Sequence, residues 1–331
     1  MGRQRVRPQY TIGVDIAQEE CVWVVLDGPT QTVQAEGKVA RTPKALASWA
    51  ARLRQHWPHA LVVLEATGGL ERWVRQALHQ AGLAVVVANP KRVQRLREAG
   101  GWAKTDSQDA LALATWGWLF AAPQPQPSPA EERMRELVRR RQQLVDMLHR
   151  ERMRYQRSQD AFVREQIQYM MTLLEEQLRR LEEEIQRQWE RWQQDDPQVA
   201  EDLQLLQSMP GVGWWTALTL RLFLPEWGQL DAKQVAALSG LAPMARDSGK
   251  KRGRRRIYGG RRRIRGALYM VALHWIRRKQ GPLWAFYERL RRRGKPTFVA
   301  MVALMRRILV ILNAMLRDRI PWTPEKAMAR T

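Results

Sequence analysis

Hydrophobic residues recur in two rhythms along this chain, and the change of rhythm divides it. Tyr10–Ile16, Cys21–Leu26 and Thr32–Val39 read as strands, with Asp27-Gly28 as turn punctuation. Leu61–Ala66 and Leu83–Ala88 are short apolar runs of the kind buried in a mixed or parallel sheet. Thr42–Leu53 has helical periodicity behind a candidate N-cap, Thr42, and Gly69–Gln80 suits a crossover helix. A further helix starting at Asp106 or Ser107 runs to about Phe120. Three strands followed by β-α-β-α predict a ribonuclease H-like α/β sheet within residues 1–121.

Beyond it the pattern turns helical. Ala122–Pro129 (APQPQPSP) is a proline-rich linker, residues 122–129, that must end the preceding helix. From Ala130 to Gln194 the chain is nearly free of Gly and Pro. Leu174, Leu178, Leu181, Ile185, Trp189 and Trp192 follow three- and four-residue steps, as a coiled-coil seam does. One straight helix of that length would measure roughly 95 Å. A helical hairpin or dimerising arm over residues 130–196 is expected instead, ended by Pro197. Residues 197–331 read as a mostly helical C-terminal domain with a basic centre.

Charge changes the picture. The 331 residues hold 56 Lys and Arg against 33 Asp and Glu, a net charge of +23, which calls for a polyanionic partner. A membrane surface is disfavoured, because Phe298–Leu316, the most apolar late segment, is interrupted by Arg306 and Arg307. Met1–Arg7 is basic but leads into a strand pattern and not a signal-peptide core. Cys21 is the sole cysteine, which excludes an intrachain disulfide and a cysteine-cluster zinc site. The reading is a cytoplasmic, nucleoid-associated protein.

Within this basic chain four acids stand at element ends: Asp15 and Glu65 close two apolar strands, and Asp106 and Asp109 open a helix. The i,i+3 spacing puts the last two on one helical face. Hard divalent ions want oxygen ligands, and paired metals assist phosphodiester chemistry. Each acid has an ordinary alternative, since strand-end Asp is often solvated and Asp106 could cap its helix. Together they favour a metal site, because negative charge in a nucleic-acid binder repels substrate unless a cation sits there.

Arg246–Arg265 carries eleven Lys or Arg and one Asp. Lys104, Arg246, Lys250, Lys251, Arg252, Arg254, Arg255, Arg256, Arg261, Arg262, Arg263 and Arg265 are candidate phosphate contacts. Glycines 249, 253, 259 and 260 would let backbone approach a phosphate. Ser208–Gly213 (SMPGVG) resembles a helix-hairpin-helix turn that would offer Gly211 and Gly213 to phosphates; a plain tight turn between core helices explains it equally. Ser248 lies in the positive region, but physics alone does not separate it from Ser239 as a nucleophile.

These pieces together resemble the IS110 family of insertion-sequence transposases, the DEDD recombinases. The matching motifs are Ile12-Gly-Val-Asp15, Leu64-Glu-Ala-Thr-Gly68, Asn89-Pro-Lys91, Lys104-Thr-Asp-Ser-Gln-Asp109, Met209-Pro-Gly-Val-Gly213, Gly240-Leu-Ala-Pro243 and Ser248-Gly249, in order along nearly the whole chain. The resemblance implies a RuvC-like N-terminal domain, a coiled-coil arm and a C-terminal transposase domain. It implies that Asp15, Glu65, Asp106 and Asp109 bind Mg²⁺, with Mn²⁺ able to substitute, and that Ser248 attacks DNA to form a transient phosphoserine link. Donor and target DNA, a bridge RNA, and a homo-oligomer from dimer to tetramer are the partners it implies. Two rivals stand beside it: a metal-dependent Holliday-junction nuclease that does not need Ser248, and a non-catalytic nucleic-acid scaffold.

Overall fold

The computed structural model describes residues 7–67, 69–102, 105–120, 127–244 and 256–325, with no side chain described for Met244 or Arg256. The chain divides into two compact units, residues 1–126 and 127–331.

The first unit is built on a five-stranded sheet. Its strands are β1 (Tyr10–Ile16), β2 (Glu20–Asp27), β3 (Thr32–Ala40), β4 (Leu61–Glu65) and β5 (Ala84–Ala88). Their spatial order is β3-β2-β1-β4-β5. The first three form an antiparallel meander, while β4 and β5 run parallel to β1. Helices α1 (Pro43–His56) and α2 (Glu71–Gln80) supply the crossovers. The five strands and these helices stand where the apolar runs placed them, with ends shifted by one to three residues. Thr42 does cap α1, accepting from Ala45 N at 3.4 Å.

Side chains alternate across the sheet with period two. Ile12, Val14, Ile16, Val62 and Leu64 enter the core shared with Leu46, Trp49, Leu53, Val74 and Leu78 of α1 and α2. The other face is covered by α3 (Pro90–Gly100) and α4 (Asp106–Phe120). There Leu61, Val63, Val86 and Ala88 pack with Val93, Leu113 and Trp116. Helix α3 was not foreseen, although Asn89-Pro90 is a start signal and Gly101 a stop. Asn89 accepts from Lys91 N at 3.0 Å, and Gly101 closes the helix at φ 65°.

Gly13 brings α4 onto the sheet. A Cβ there would lie 2.5 Å from Ala114 N and closer still to Ala110 O, so only glycine lets the helix backbone rest on β1. On α4 itself, a Cβ at Gly117 would collide with the Val63 side chain.

In the second unit the predicted arm is broken into α5 (Pro129–Arg157) and α6 (Ala161–Asp195). The break is marked by Asp160, whose side chain accepts from Val163 N at 2.9 Å. Arg141 pairs with Glu182 and Arg152 with Glu175, so the two helices run antiparallel as a hairpin. Leu174, Leu178 and Leu181 pack with Leu144 and Leu148 of α5. Ile185, Trp189 and Trp192 join the core of the helices that follow. The heptad-like seam is thus filled from within the same chain.

Those helices are α7 (Pro197–Gln207), α8 (Trp214–Phe223), α9 (Ala232–Leu238), α10 (Arg262–Arg278), α11 (Pro282–Arg292) and α12 (Thr297–Asp318). A two-residue ladder, β6 (Pro243–Met244) with β7 (Arg256–Ile257), lies among them. Helix α12 is long and apolar enough to cross a membrane by composition, but Leu304, Ile308, Leu309 and Leu312 are buried in this core. Its buried Asn313 accepts from Gly228 N and donates to Leu230 O.

Candidate active site

Three elements carry acids to one corner of the first unit. Strands β1 and β4 pair in parallel with Gly13 opposite Val63 and Val14 opposite Leu64. Asp15 and Glu65 each stand one residue beyond the last of these pairs. Both share the face of Gly13 and Val63, which is the face α4 covers. The first turn of α4 holds Asp106 and Asp109. Its cap is Thr105, whose Oγ1 accepts from Gln108 N at 3.4 Å and whose carbonyl accepts from Asp109 N at 2.8 Å. Asp106 is therefore not spent on capping.

The acids share one electrostatic field. Burial pushes the Asp15 carboxyl above its ordinary value, and the charges of Asp109 and Asp106 push it further, against a backbone hydrogen bond at Ile16 and the charge of Arg97. Glu65 is raised by burial first and then by Asp15 and Asp109, again opposed by Arg97. Arg97, in the last turn of α3, makes an ion pair with Asp109. Among the described residues no three His, Cys, Asp or Glu side chains yet close around a single point as ligands. The donor set fits a hard divalent cation in kind: all oxygen, with two members protonating more readily because they are buried and then because neighbouring acids repel them.

The loop after Glu65 is clamped. Glu71 accepts from Thr67 N and Thr67 Oγ1 at 3.2 Å each and from Gly69 N at 2.8 Å. Burial raises the Glu71 carboxyl, but a hydrogen bond from its own backbone, with those from Gly69 and Thr67, outweighs it and holds the group below its ordinary value. Sequence reasoning missed Glu71, Arg97 and the packing role of Gly13. For Arg97 the cue was the unread helix, α3; Glu71, four residues past Thr67, had only the weak cue of an acid near a glycine loop. Cys21 is buried and its thiol is pushed up to about 11, so it is inert.

In the second unit the expected nucleophile and most of the expected phosphate contacts lie outside the described residues. These are Ser248, Arg246, Lys250, Lys251, Arg252, Arg254 and Arg255; Lys104 of the first unit is outside them too, and Arg256 is described only as backbone in β7. Pairing of Met244 with Arg256 brings the two ends of that segment together. Ser239, the other candidate nucleophile, is fully buried, which removes it from reach of DNA.

Two expected phosphate contacts are occupied internally. Arg261 donates to both carboxylate oxygens of Glu226 at 2.5 and 2.6 Å, and Arg265 donates to the carbonyls of Ser239 and Gly259. Gly260, expected to face phosphate, instead meets the backbone of Gly240, each with positive φ where a Cβ would collide. Arg262 is exposed at the start of α10, and Arg263 lies 5.1 Å from the ring of Phe223. At the SMPGVG turn, a Cβ on Gly211 (φ 90°) would meet the His274 ring at 2.7 Å, so that glycine serves packing. Gly213 faces open space as the N-cap of α8.

Comparison with known proteins gives two family matches. The DEDD transposase family of IS110 elements matches residues 12–159, and the transposase family of IS116, IS110 and IS902 matches residues 203–288. The chain is 32% identical over 150 residues to an uncharacterised protein of insertion element IS116 from Streptomyces clavuligerus, covering 43% of this chain and 37% of that protein. It is 36% identical over 133 residues to an uncharacterised protein of IS900 from Mycobacterium paratuberculosis, covering 38% of this chain and 32% of that protein. These two matches span about a third of those relatives' length. The pilin gene-inverting protein of Moraxella lacunata is 27% identical over 273 residues, 79% of this chain and 81% of the relative. A RuvC structure from Thermus thermophilus with Holliday junction substrate aligns at a TM-score of 0.27 and 14% identity, over 32% of this chain and 90% of that one. A likeness that slight adds nothing to the argument. The two family matches lie in order, one ending where α5 ends and the other on the helical core, and the chain belongs to the IS110 family of insertion-element transposases.

Proposed function

We propose that this chain is a DNA recombinase that excises and inserts an insertion element, with Asp15, Glu65, Asp106 and Asp109 as a divalent-cation site and Ser248 as the nucleophile. The observation that carries the reading is the convergence of four acids from three elements into one field, in a chain of net charge +23. Mg²⁺ is the proposed cation; when bound it supplies Lewis-acid stabilisation of charge on phosphate oxygens. The carboxylates orient that charge, and Glu71 keeps the strand-to-helix loop beside Glu65 in place.

The nucleophile assignment rests on the family resemblance and on elimination of Ser239 by burial. In the proposed step the Ser248 hydroxyl oxygen attacks phosphorus, its proton passes to a neighbouring base, and the departing strand leaves with its oxygen. Rejoining reverses this with the hydroxyl of another strand. Donor and target DNA are the substrates, and a bridge RNA is the proposed guide. A homo-oligomer is supported by Phe162, Tyr169, Met170 and Leu173, which are exposed along α6 beside the packed seam.

The test is strand cleavage on supercoiled donor DNA with Mg²⁺. Ser248→Ala should abolish cutting and the covalent protein–DNA adduct, and Asp15→Asn should abolish cutting with DNA binding retained. Continued hydrolytic cutting by Ser248→Ala would replace the recombinase with a junction nuclease. Full cutting by Asp15→Asn would remove the acid cluster from the reaction, and no cutting by wild type would leave only a binding scaffold.

A further inference from the structure

Arg97 reaches from the last turn of α3 to the first turn of α4, where its Nη1 pairs with Oδ1 of Asp109. The two side chains are only 21% and 19% exposed, so the pair escapes much of the solvent screening that weakens surface ion pairs. The same guanidinium acts on Asp15 and Glu65, in each case against the repulsion of the other acids. One fixed positive group thus stands in the field of three members of the quartet.

Helix α3 holds that group firmly. Asn89 caps one end, Gly101 closes the other, and Val93 is buried with Leu113 and Trp116 of α4. A guanidinium stays charged at any working pH, so it does not leave by losing its proton. A Mg²⁺ ligand must approach to about 2.0–2.1 Å. At that distance the cation and the Arg97 guanidinium, both positive, repel each other and compete for the negative charge of Asp109.

We propose that Arg97 is a tethered competitor for the divalent cation, its ion pair with Asp109 offsetting the negative charge that would otherwise draw the cation in. This deepens the metal-site reading and rests on it. Arg97 is here a positioning residue: it offsets repulsion among the acids in metal-free protein and sets how tightly the cation is taken up.

The experiment titrates Mn²⁺ calorimetrically into the full-length chain without DNA, comparing wild type with Arg97→Gln and Arg97→Lys. Melting temperatures are taken in EDTA and in saturating Mn²⁺. Loss of one close, part-buried charge should tighten Mn²⁺ binding about tenfold in Arg97→Gln. Arg97→Lys should stay near wild type. Arg97→Gln should melt below wild type in EDTA, and that deficit should vanish in Mn²⁺. Equal or weaker Mn²⁺ affinity in Arg97→Gln, or the same melting deficit in both buffers, would make Arg97 a plain structural tie. If folded wild type takes up no Mn²⁺ at all, the metal-site reading itself fails, a result distinct from the first.

Discussion

Replacing Gly13 by alanine tests how the acids are brought together. The added Cβ would stand 2.5 Å from Ala114 N and closer to Ala110 O, both backbone atoms of α4 that no rotamer change can move. Restoring contact to about 3.4 Å requires α4 to lift by roughly 1 Å or more. Overpacking of this kind typically destabilises by about 1–3 kcal/mol. The lift also carries Asp106 and Asp109 away from Asp15 and Glu65, and a misplacement of about 1 Å can lower a catalysed rate roughly 100-fold. Gly13→Ala should therefore melt lower and cut donor DNA about 100-fold more slowly, with DNA affinity little changed. The reference is Gly266→Ala in α10, where a Cβ meets nothing within 4 Å and helix propensity favours alanine, so stability should hold or rise. The measurements are thermal unfolding and single-turnover cleavage. A Gly13→Ala protein as stable and as fast as wild type would refute the close-packing argument.

Other outcomes follow from the same geometry. Asp15 and Glu65 have raised carboxyl values, so folded chain binds their protons more tightly than unfolded chain. Their penalty is absent below the unfolded values and fully present above the raised ones. In EDTA, Glu65→Gln should therefore gain melting temperature over wild type as pH rises from about 4, then hold that gain; a gain shrinking with pH would contradict the assignment. Glu71→Gln should weaken the clamp on Thr67 and Gly69, showing as faster amide exchange there and slower cleavage, and unchanged exchange would count against it. Glu226→Gln should cost stability by loosening Arg261 without changing the salt dependence of DNA binding, whereas Arg262→Ala should reduce that dependence. The opposite pattern would reverse the roles given to Arg261 and Arg262.

The sheet was legible because strand periodicity and turn residues are local signals. That Asp15 and Glu65 each follow the last paired residues of β1 and β4 is read from the parallel register once the strands are known. Less legible were features that depend on what packs against what. Gly13 reads as a routine strand glycine until α4 lies on it, and Arg97 reads as one of many surface arginines until α3 points it at Asp109. Arg261 and Arg265 show the converse. Their neighbourhood of eleven basic residues suggested phosphate, yet Glu226 and the Ser239 carbonyl, both distant in sequence, engage them together with the nearby Gly259 carbonyl. The arm was read by period alone, and period cannot tell a seam filled by α5 from one filled by a second chain.

The central claim is that four acids far apart in sequence hold one divalent cation. Iron(II) in place of Mg²⁺, with ascorbate and peroxide, generates hydroxyl radicals that cut the polypeptide backbone beside the bound ion. Full-length chain should be cut near residues 15, 65 and 106–109 together, with excess Mg²⁺ or Asp15→Asn suppressing all three. Cuts confined to one of these places, or cutting indifferent to Mg²⁺ and to Asp15→Asn, would contradict the account.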